Sequence, residues 1–193
     1  LRRTYIKICM LINLRLSTKI LSNSNTALRS FFKSSKNNLF KIIKNGIPYI
    51  HSENYNKKDI YAKYKIPENS FLVGHIGRFV KQKNHEFIMC IADNLLSDYK
   101  NMYFLFCGKN VEKNLKPSKI YNKYPSRFIF IHSIEDVYEL HQIFNCFIFP
   151  SNFEGHPNVL LECINSKVPV LTSNIDSIKE HLPEFMSSVL LDL

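Results

Sequence analysis

The chain has 193 residues, 45% of them hydrophobic and 13% aromatic. That is enough for one cored domain, or one domain with a piece of another, and it excludes disorder for most of the length. The net charge of +10 is unevenly placed: residues 1–50 hold ten Lys or Arg and no acid, while residues 51–193 hold sixteen of each sign.

The first 40 residues are rich in Ser, Asn and Lys. With no nucleic-acid-binding motif beside it, this basic segment reads either as a solvated, poorly packed lead-in or as a patch drawn to an anionic membrane surface. Tyr5 to Leu16 is partly apolar, but Lys7, Asn13 and Arg15 interrupt it. It is too short and too charged to span a bilayer, and it makes no convincing secretory signal. A strand is expected near Lys19–Ser22 and a helix over Thr26–Lys33. Phe40–Pro48 reads as a short strand ending in an Asn45-Gly46 turn. His51–Tyr64 is polar, with a helix near Lys57–Tyr64, and a boundary follows at Ile66–Ser70.

A regular rhythm then begins. Apolar runs at Phe71–Gly77, Met102–Cys107, Arg127–His132, Cys146–Phe149, Val168–Thr172 and Ser188–Leu191 read as strands. Between them, Asn84–Ser97 carries helical periodicity through Phe87, Ile88, Ile91 and Leu95. Val111–Tyr124 reads as helical or irregular, and Val137–Phe144, Pro157–Asn165 and Ile175–His181 as helices. Alternating strands and helices with continuously apolar strands imply an α/β fold, a Rossmann-like parallel sheet with helices on both faces. Ligands of such sheets bind at the carboxyl ends of the strands.

The five cysteines form no CxxC pair and mostly sit in apolar runs, so they read as reduced, buried small hydrophobes of a cytosolic protein. No Cys/His cluster has zinc-ligand spacing, and no metal is expected. Gly77, Gly108 and Gly155 fall at strand ends, where glycine permits close backbone approach or positive φ; Gly108 on its own reads as ordinary turn chemistry.

Two loops could carry chemistry. Gly77-Arg78-Phe79-Val80-Lys81-Gln82-Lys83-Asn84-His85 follows a strand and opens a helix, which puts Arg78 and Lys83 at the mouth of the sheet. Two fixed cations there can bracket a diphosphate and stabilise the charge of a leaving nucleoside diphosphate without a metal. In Pro150–Glu162, Pro157 suits the first turn of a helix, and the amides of Asn158 and Val159 become free donors for phosphate oxygens. Glu154 lies beside that helix end. Glu162 shares a helix face with Asn158 and sits among Leu160, Leu161, Cys163 and Ile164, an apolar setting for a charge. As a pair, the two acids also suit a hydrolase.

The pattern resembles the C-terminal domain of family 4 glycosyltransferases, the retaining group that includes capsule and exopolysaccharide enzymes. Four features agree in order: Asn45-Gly46-Ile47; Gly77-Arg78-Phe79 with Lys83; Asp136-Val137-Tyr138-Glu139-Leu140 followed by Phe147-Ile148-Phe149-Pro150-Ser151; and Glu154 with Glu162, seven residues between them, ahead of Val168-Pro169-Val170. The match spans about residues 40 to 190. The resemblance implies the C-terminal half of a GT-B fold and transfer of a hexosyl group from a UDP- or GDP-linked sugar, with retention, to a glycan or lipid-linked acceptor. It places Arg78 and Lys83 on the diphosphate, Glu154 at the donor sugar and Glu162 on the ribose. Gly77, Gly155 and the backbone from His156 through Asn158 and Val159 to Leu160 would wrap the donor, with Ser133 and Ile134 near the base.

The chain departs from the family in carrying His156-Pro157 where Phe-Gly is common; His156 either touches the donor or fills the turn. It also has Cys163–Lys167 in place of a small Ala-x-Gly run, which leaves the end of that helix without its usual glycine. Residues 1–40 would be the end of an acceptor domain or a basic lead-in, and 41–193 the donor domain, truncated at its C-terminus. A whole two-domain enzyme needs about twice this length, so a fragment inactive by itself is expected. A non-catalytic nucleotide-sugar-binding remnant and a GT-B nucleotide-sugar 2-epimerase are the alternatives. The expected location is cytoplasmic, with peripheral contact at the inner face of the membrane as the extension of that reading.

Overall fold

The structure is a computed structural model that describes residues 2–32, 38–48, 55–182 and 190–191. Its centre is a six-stranded, all-parallel sheet. The strands are β3 (Phe71–Ile76), β4 (Met102–Cys107), β5 (Phe128–Ile131), β6 (Cys146–Phe149), β7 (Val170–Ser173) and β8 (Leu190–Leu191), in the order β5-β4-β3-β6-β7-β8. The expected Rossmann-like architecture is what folds.

The period of two along each strand divides the core. Leu72, Leu105, Cys107, Phe147 and Phe149 face one layer. Val73, Phe104, Phe106, Phe128 and Ile148 face the other. The first layer is closed by α3 (Lys57–Lys63), α7 (Tyr138–His141), α8 (Asn158–Asn165) and α9 (Asp176–Lys179), through Ile60, Leu140, Leu160, Cys163 and Ile178. The second is closed by α4 (His85–Leu96), α5 (Val111–Leu115) and α6 (Lys119–Lys123). In α4, Ile88, Met89, Ala92 and Leu96 recur at helical spacing and are buried.

A separate two-stranded sheet precedes this layer structure. Strand β1 (Ile20–Ser22) pairs in parallel with β2 (Phe40–Ile42), with α2 (Asn25–Phe31) between them in the chain.

Several expectations change in detail. Residues Arg2–Leu16 form a helix, α1, which their apolar pattern does not announce, and most of its side chains are exposed, as in a solvated, poorly packed lead-in. Asn45-Gly46 makes no turn; residues 43–48 run as irregular chain along α8, with Asn165 Nδ2 donating to Pro48 O at 2.9 Å. The region Val111–Tyr124 is two helices broken at Pro117, where Ser118 caps α6 through the Tyr121 amide. Helix α7 has one turn only, and β7 begins at Val170 after Pro169, which has no N–H for the ladder. Cys90 is exposed, not buried, whereas Cys107 and Cys163 are buried. The expected helix end at Lys33, the stretch from His51, and Ser188 of the last strand lie outside the described residues.

Candidate functional site at the carboxyl edge of the sheet

Strands β3 and β6 are neighbours, yet β4 and β5 lie to one side of them and β7 and β8 to the other. This is the point where strand order reverses, and a crevice opens there at the carboxyl ends. The two loops singled out from the sequence leave the sheet on either side of it.

The first loop, residues 77–84, is held from behind. Gly77 N–H donates to Cys107 O at 2.8 Å, and Phe79 N–H to Lys109 O at 3.0 Å. A Cβ on Gly108 would stand 2.1 Å from Gly77 O, so only glycine permits this approach. Gly108 is therefore a packing requirement, not ordinary turn chemistry. A 3₁₀ turn at Lys81–Lys83 then swings Lys83 back across Gly77. A Cβ there would stand 3.3 Å from the Lys83 side chain.

The second loop, residues 150–157, is fastened to the first. Asn152 N–H donates to Gln82 O at 2.8 Å, Asn152 Nδ2 to Lys81 O at 2.9 Å, and Gln82 Nε2 to Phe153 O at 2.8 Å. The key contact lies inside this fastening. Lys83 Nζ donates to Glu154 Oε1 at 2.8 Å and stands 4.3 Å above the centre of the Phe149 ring. Their side chains are only 17% and 8% exposed, so both charges are withdrawn from water and each depends on the other. Arg78 is exposed and makes no hydrogen bond or ion pair with a described residue.

Helix α8 follows, its first turn directed into the same crevice. Pro157 is the N-cap and not the first helical residue, and Leu161 N–H returns to Pro157 O at 3.1 Å. One expected donor is spent, because Asn158 N–H reaches His156 O at 2.9 Å. The amides of Val159 and Leu160 are left without intrahelical acceptors. Leu160 is fully buried, main chain included, so it offers a donor no surface, and the expected contact at this turn falls to half-buried Val159.

Asn158 Oδ1 accepts from Asn45 Nδ2 at 3.0 Å and meets His156 Nδ1 at 2.7 Å. An oxygen can only accept, so His156 donates through Nδ1. Its other side meets the His181 ring edge-to-face at 4.3 Å. Burial holds His156 below the usual imidazole range.

Glu162 lies further along α8, half-buried, and burial pushes its carboxyl above the usual range. Its charge is felt by Tyr138, whose buried hydroxyl has no partner among the described residues. Thus Glu162 belongs to the β5–α7 side, where Ser133 is exposed and Ile134 packs on the core. Glu154, Gly155 and His156 belong to the α2 side: a Cβ on Gly155 would stand 3.9 Å from Ala27 Cβ.

Sequence reasoning missed the residues that brace these loops. Gln82 and Asn152 stood inside the motifs but carry no recognisable chemistry. Thr172 and Ser173 cap the end of β6, with Ser173 Oγ donating to Ser151 O at 2.7 Å. Among the described residues, no group of three His, Cys, Asp or Glu side chains is arranged to hold a metal ion.

Residues 56–190 match the family model described as Glycosyl transferases group 1. The chain belongs to this family. Among group 1 relatives, an Escherichia coli O-antigen biosynthesis glycosyltransferase, WclY, is 31% identical over 161 residues, 81% of this chain and 42% of the relative. A Staphylococcus aureus capsular polysaccharide biosynthesis glycosyltransferase, CapM, is 26% identical over 133 residues, 68% of this chain and 35% of the relative. The chain thus spans well under half of these proteins. The Anabaena protein HepE, solved in complex with UDP-glucose, superposes with a TM-score of 0.76 at 17% identity, over 95% of this chain and 52% of that one. The C-terminal domain of a Francisella tularensis group 1 protein, LpcC, superposes at 0.57 and 20% identity, over 71% of this chain and 74% of that domain. These likenesses fix the fold; residue roles rest on the geometry above.

Proposed function

We propose that this chain supplies the donor-binding site of a retaining family 4 glycosyltransferase of capsule or O-antigen type. Such an enzyme moves a hexosyl group from a nucleoside-diphosphate sugar to a glycan or lipid-linked acceptor. Residues 41–193 hold the donor, and residues 1–40 belong to the acceptor-side unit. The observation that carries the reading is the Lys83–Glu154 ion pair beside the open first turn of α8 and the exposed Arg78.

Each group then has a task. Arg78 and Lys83 meet the diphosphate, and the Val159 amide, with the positive end of the helix, takes its remaining oxygens. Charge that builds on the leaving diphosphate is met by groups already in place, which needs no reorganisation during reaction. Glu154, with one oxygen held by Lys83, offers the other to sugar hydroxyls. Glu162 accepts from the ribose, and Ser133 and Ile134 border the base. The fixed cations serve where a metal would otherwise stand, so a chelator leaves affinity unchanged. UDP-glucose in the superposable HepE structure supports a UDP-linked donor. The basic N-terminal segment adds contact with an anionic membrane, the setting of a lipid-linked acceptor.

Titration of the chain with UDP, UDP-sugars and GDP-sugars tests the site. One donor series binds, and Arg78→Ala weakens it at least about tenfold, the worth of one charge-assisted contact. Absence of affinity for every nucleotide in the wild-type chain sinks the reading.

A further inference from the structure

Helix α2 is hydrogen-bonded to the main domain through the side chain of Glu180. Ser24 caps α2 by accepting from the Ala27 amide at 3.0 Å. The two amides before it are satisfied from a distance. Glu180 Oε1 accepts from Asn25 N–H at 2.7 Å and Asn25 Nδ2 at 2.8 Å. Glu180 Oε2 accepts from Thr26 N–H at 3.0 Å and Thr26 Oγ1 at 3.1 Å. Both carboxylate oxygens are thus committed to one helix end, where the backbone dipole favours a negative charge. Burial pushes the Glu180 carboxyl up, but these four donors outweigh it and hold it below the usual range. Lys44 Nζ reaches Glu180 O at 3.5 Å, so the segment after β2 converges on the same residue.

The helix held in this way lies over the loop of the candidate site. A Cβ on Gly155 would be 3.8 Å from Asn23 Oδ1 and 3.9 Å from Ala27 Cβ. Next to Glu180, His181 packs on His156 of that loop. None of these residues belongs to the donor contacts assigned above except Gly155 and His156.

We propose that Glu180 is a positioning residue that clasps α2 against the Glu154–His156 loop, giving the donor sugar a second, pre-built wall. What the wall faces rests on the donor-site reading; the clasp itself does not. The ribose end of a donor, at Glu162 beside Tyr138, belongs to the other side of the site, so the clasp bears on the sugar more than on the nucleotide.

The test compares the wild-type chain with Glu180→Ala and Glu180→Gln by amide hydrogen exchange and by affinity for UDP and UDP-glucose. In Glu180→Ala, exchange at Asn25 and Thr26 rises about tenfold or more, and exchange at Gly155 and His156 rises with it. Glu180→Gln, which keeps shape and one accepting oxygen, is intermediate and remains folded if the alanine variant does not. UDP affinity stays within about twofold, while the advantage of UDP-glucose over UDP shrinks. Unchanged exchange at Asn25, Thr26 and Gly155 in both variants overturns the clasp. Equal losses of UDP and UDP-glucose affinity overturn the positioning role. If the wild-type chain binds no nucleotide, the donor-site reading fails, and the exchange data alone decide the clasp.

Discussion

Lys83 and Glu154 are 71 residues apart in sequence, yet they form one unit on the floor of the crevice. Removing one partner of a buried pair costs more than the pair contributes, because a charge is left without compensation. Lys83→Met strands the carboxylate of Glu154 and lowers stability by about 2–4 kcal/mol, read by urea denaturation. Adding Glu154→Gln removes the stranded charge and recovers most of that loss, without restoring nucleotide affinity. A double variant as unstable as the sum of the single ones shows that the two are uncoupled. The charged residues of this site were legible in the sequence because Arg78, Lys83, Glu154 and Glu162 stand in recognisable spacing. Their pairing was not legible: nothing in the local pattern says which acid meets which base across two loops. The brace from Gln82 to Asn152 was invisible for a related reason, since its bonds run largely to backbone atoms, which carry no residue signature.

At the scale of elements, the strands were the plainest signal, because a strand buried on both faces has to be apolar throughout. Helix α1 was missed because it carries no acid in its first turn, and its apolar residues are not gathered on one buried face. The end of α8 shows how a missing glycine is replaced. Val168 N–H bonds to Cys163 O at 3.0 Å and Lys167 N–H to Ile164 O at 2.9 Å, a Schellman closure. That closure needs a left-handed residue, and Lys167 supplies it at φ 60°. A residue with a Cβ there costs about 1 kcal/mol relative to glycine. Lys167→Gly therefore raises stability by about 1 kcal/mol in thermal unfolding, although it shortens an exposed side chain. A loss of stability instead means that the Lys167 side chain holds the turn by contacts stronger than this strain.

At the scale of the whole molecule, charge and exposure concentrate at one end. Along α1, Tyr5, Ile8, Leu11 and Leu16 are more than half exposed on a segment with basic residues and no acid. No helix among the described residues is long and apolar enough to cross a membrane. The proposed membrane contact predicts that the chain binds anionic vesicles in a sedimentation assay and leaves them as salt rises, because screening shortens the reach of exposed charges. Binding that persists in high salt, or that is equal on neutral vesicles, rules out the electrostatic version. One further consequence concerns time. The acceptor of the α2 amides lies 155 residues downstream of Asn25. A ribosome adding about 5–20 residues per second makes Asn25 roughly eight to thirty seconds before it makes Glu180. Throughout that interval the newborn chain presents α2 with its Asn25 and Thr26 amides unpaired, behind a helix with exposed apolar side chains, a surface suited to chaperone capture, until the residue that ends the wait is synthesised.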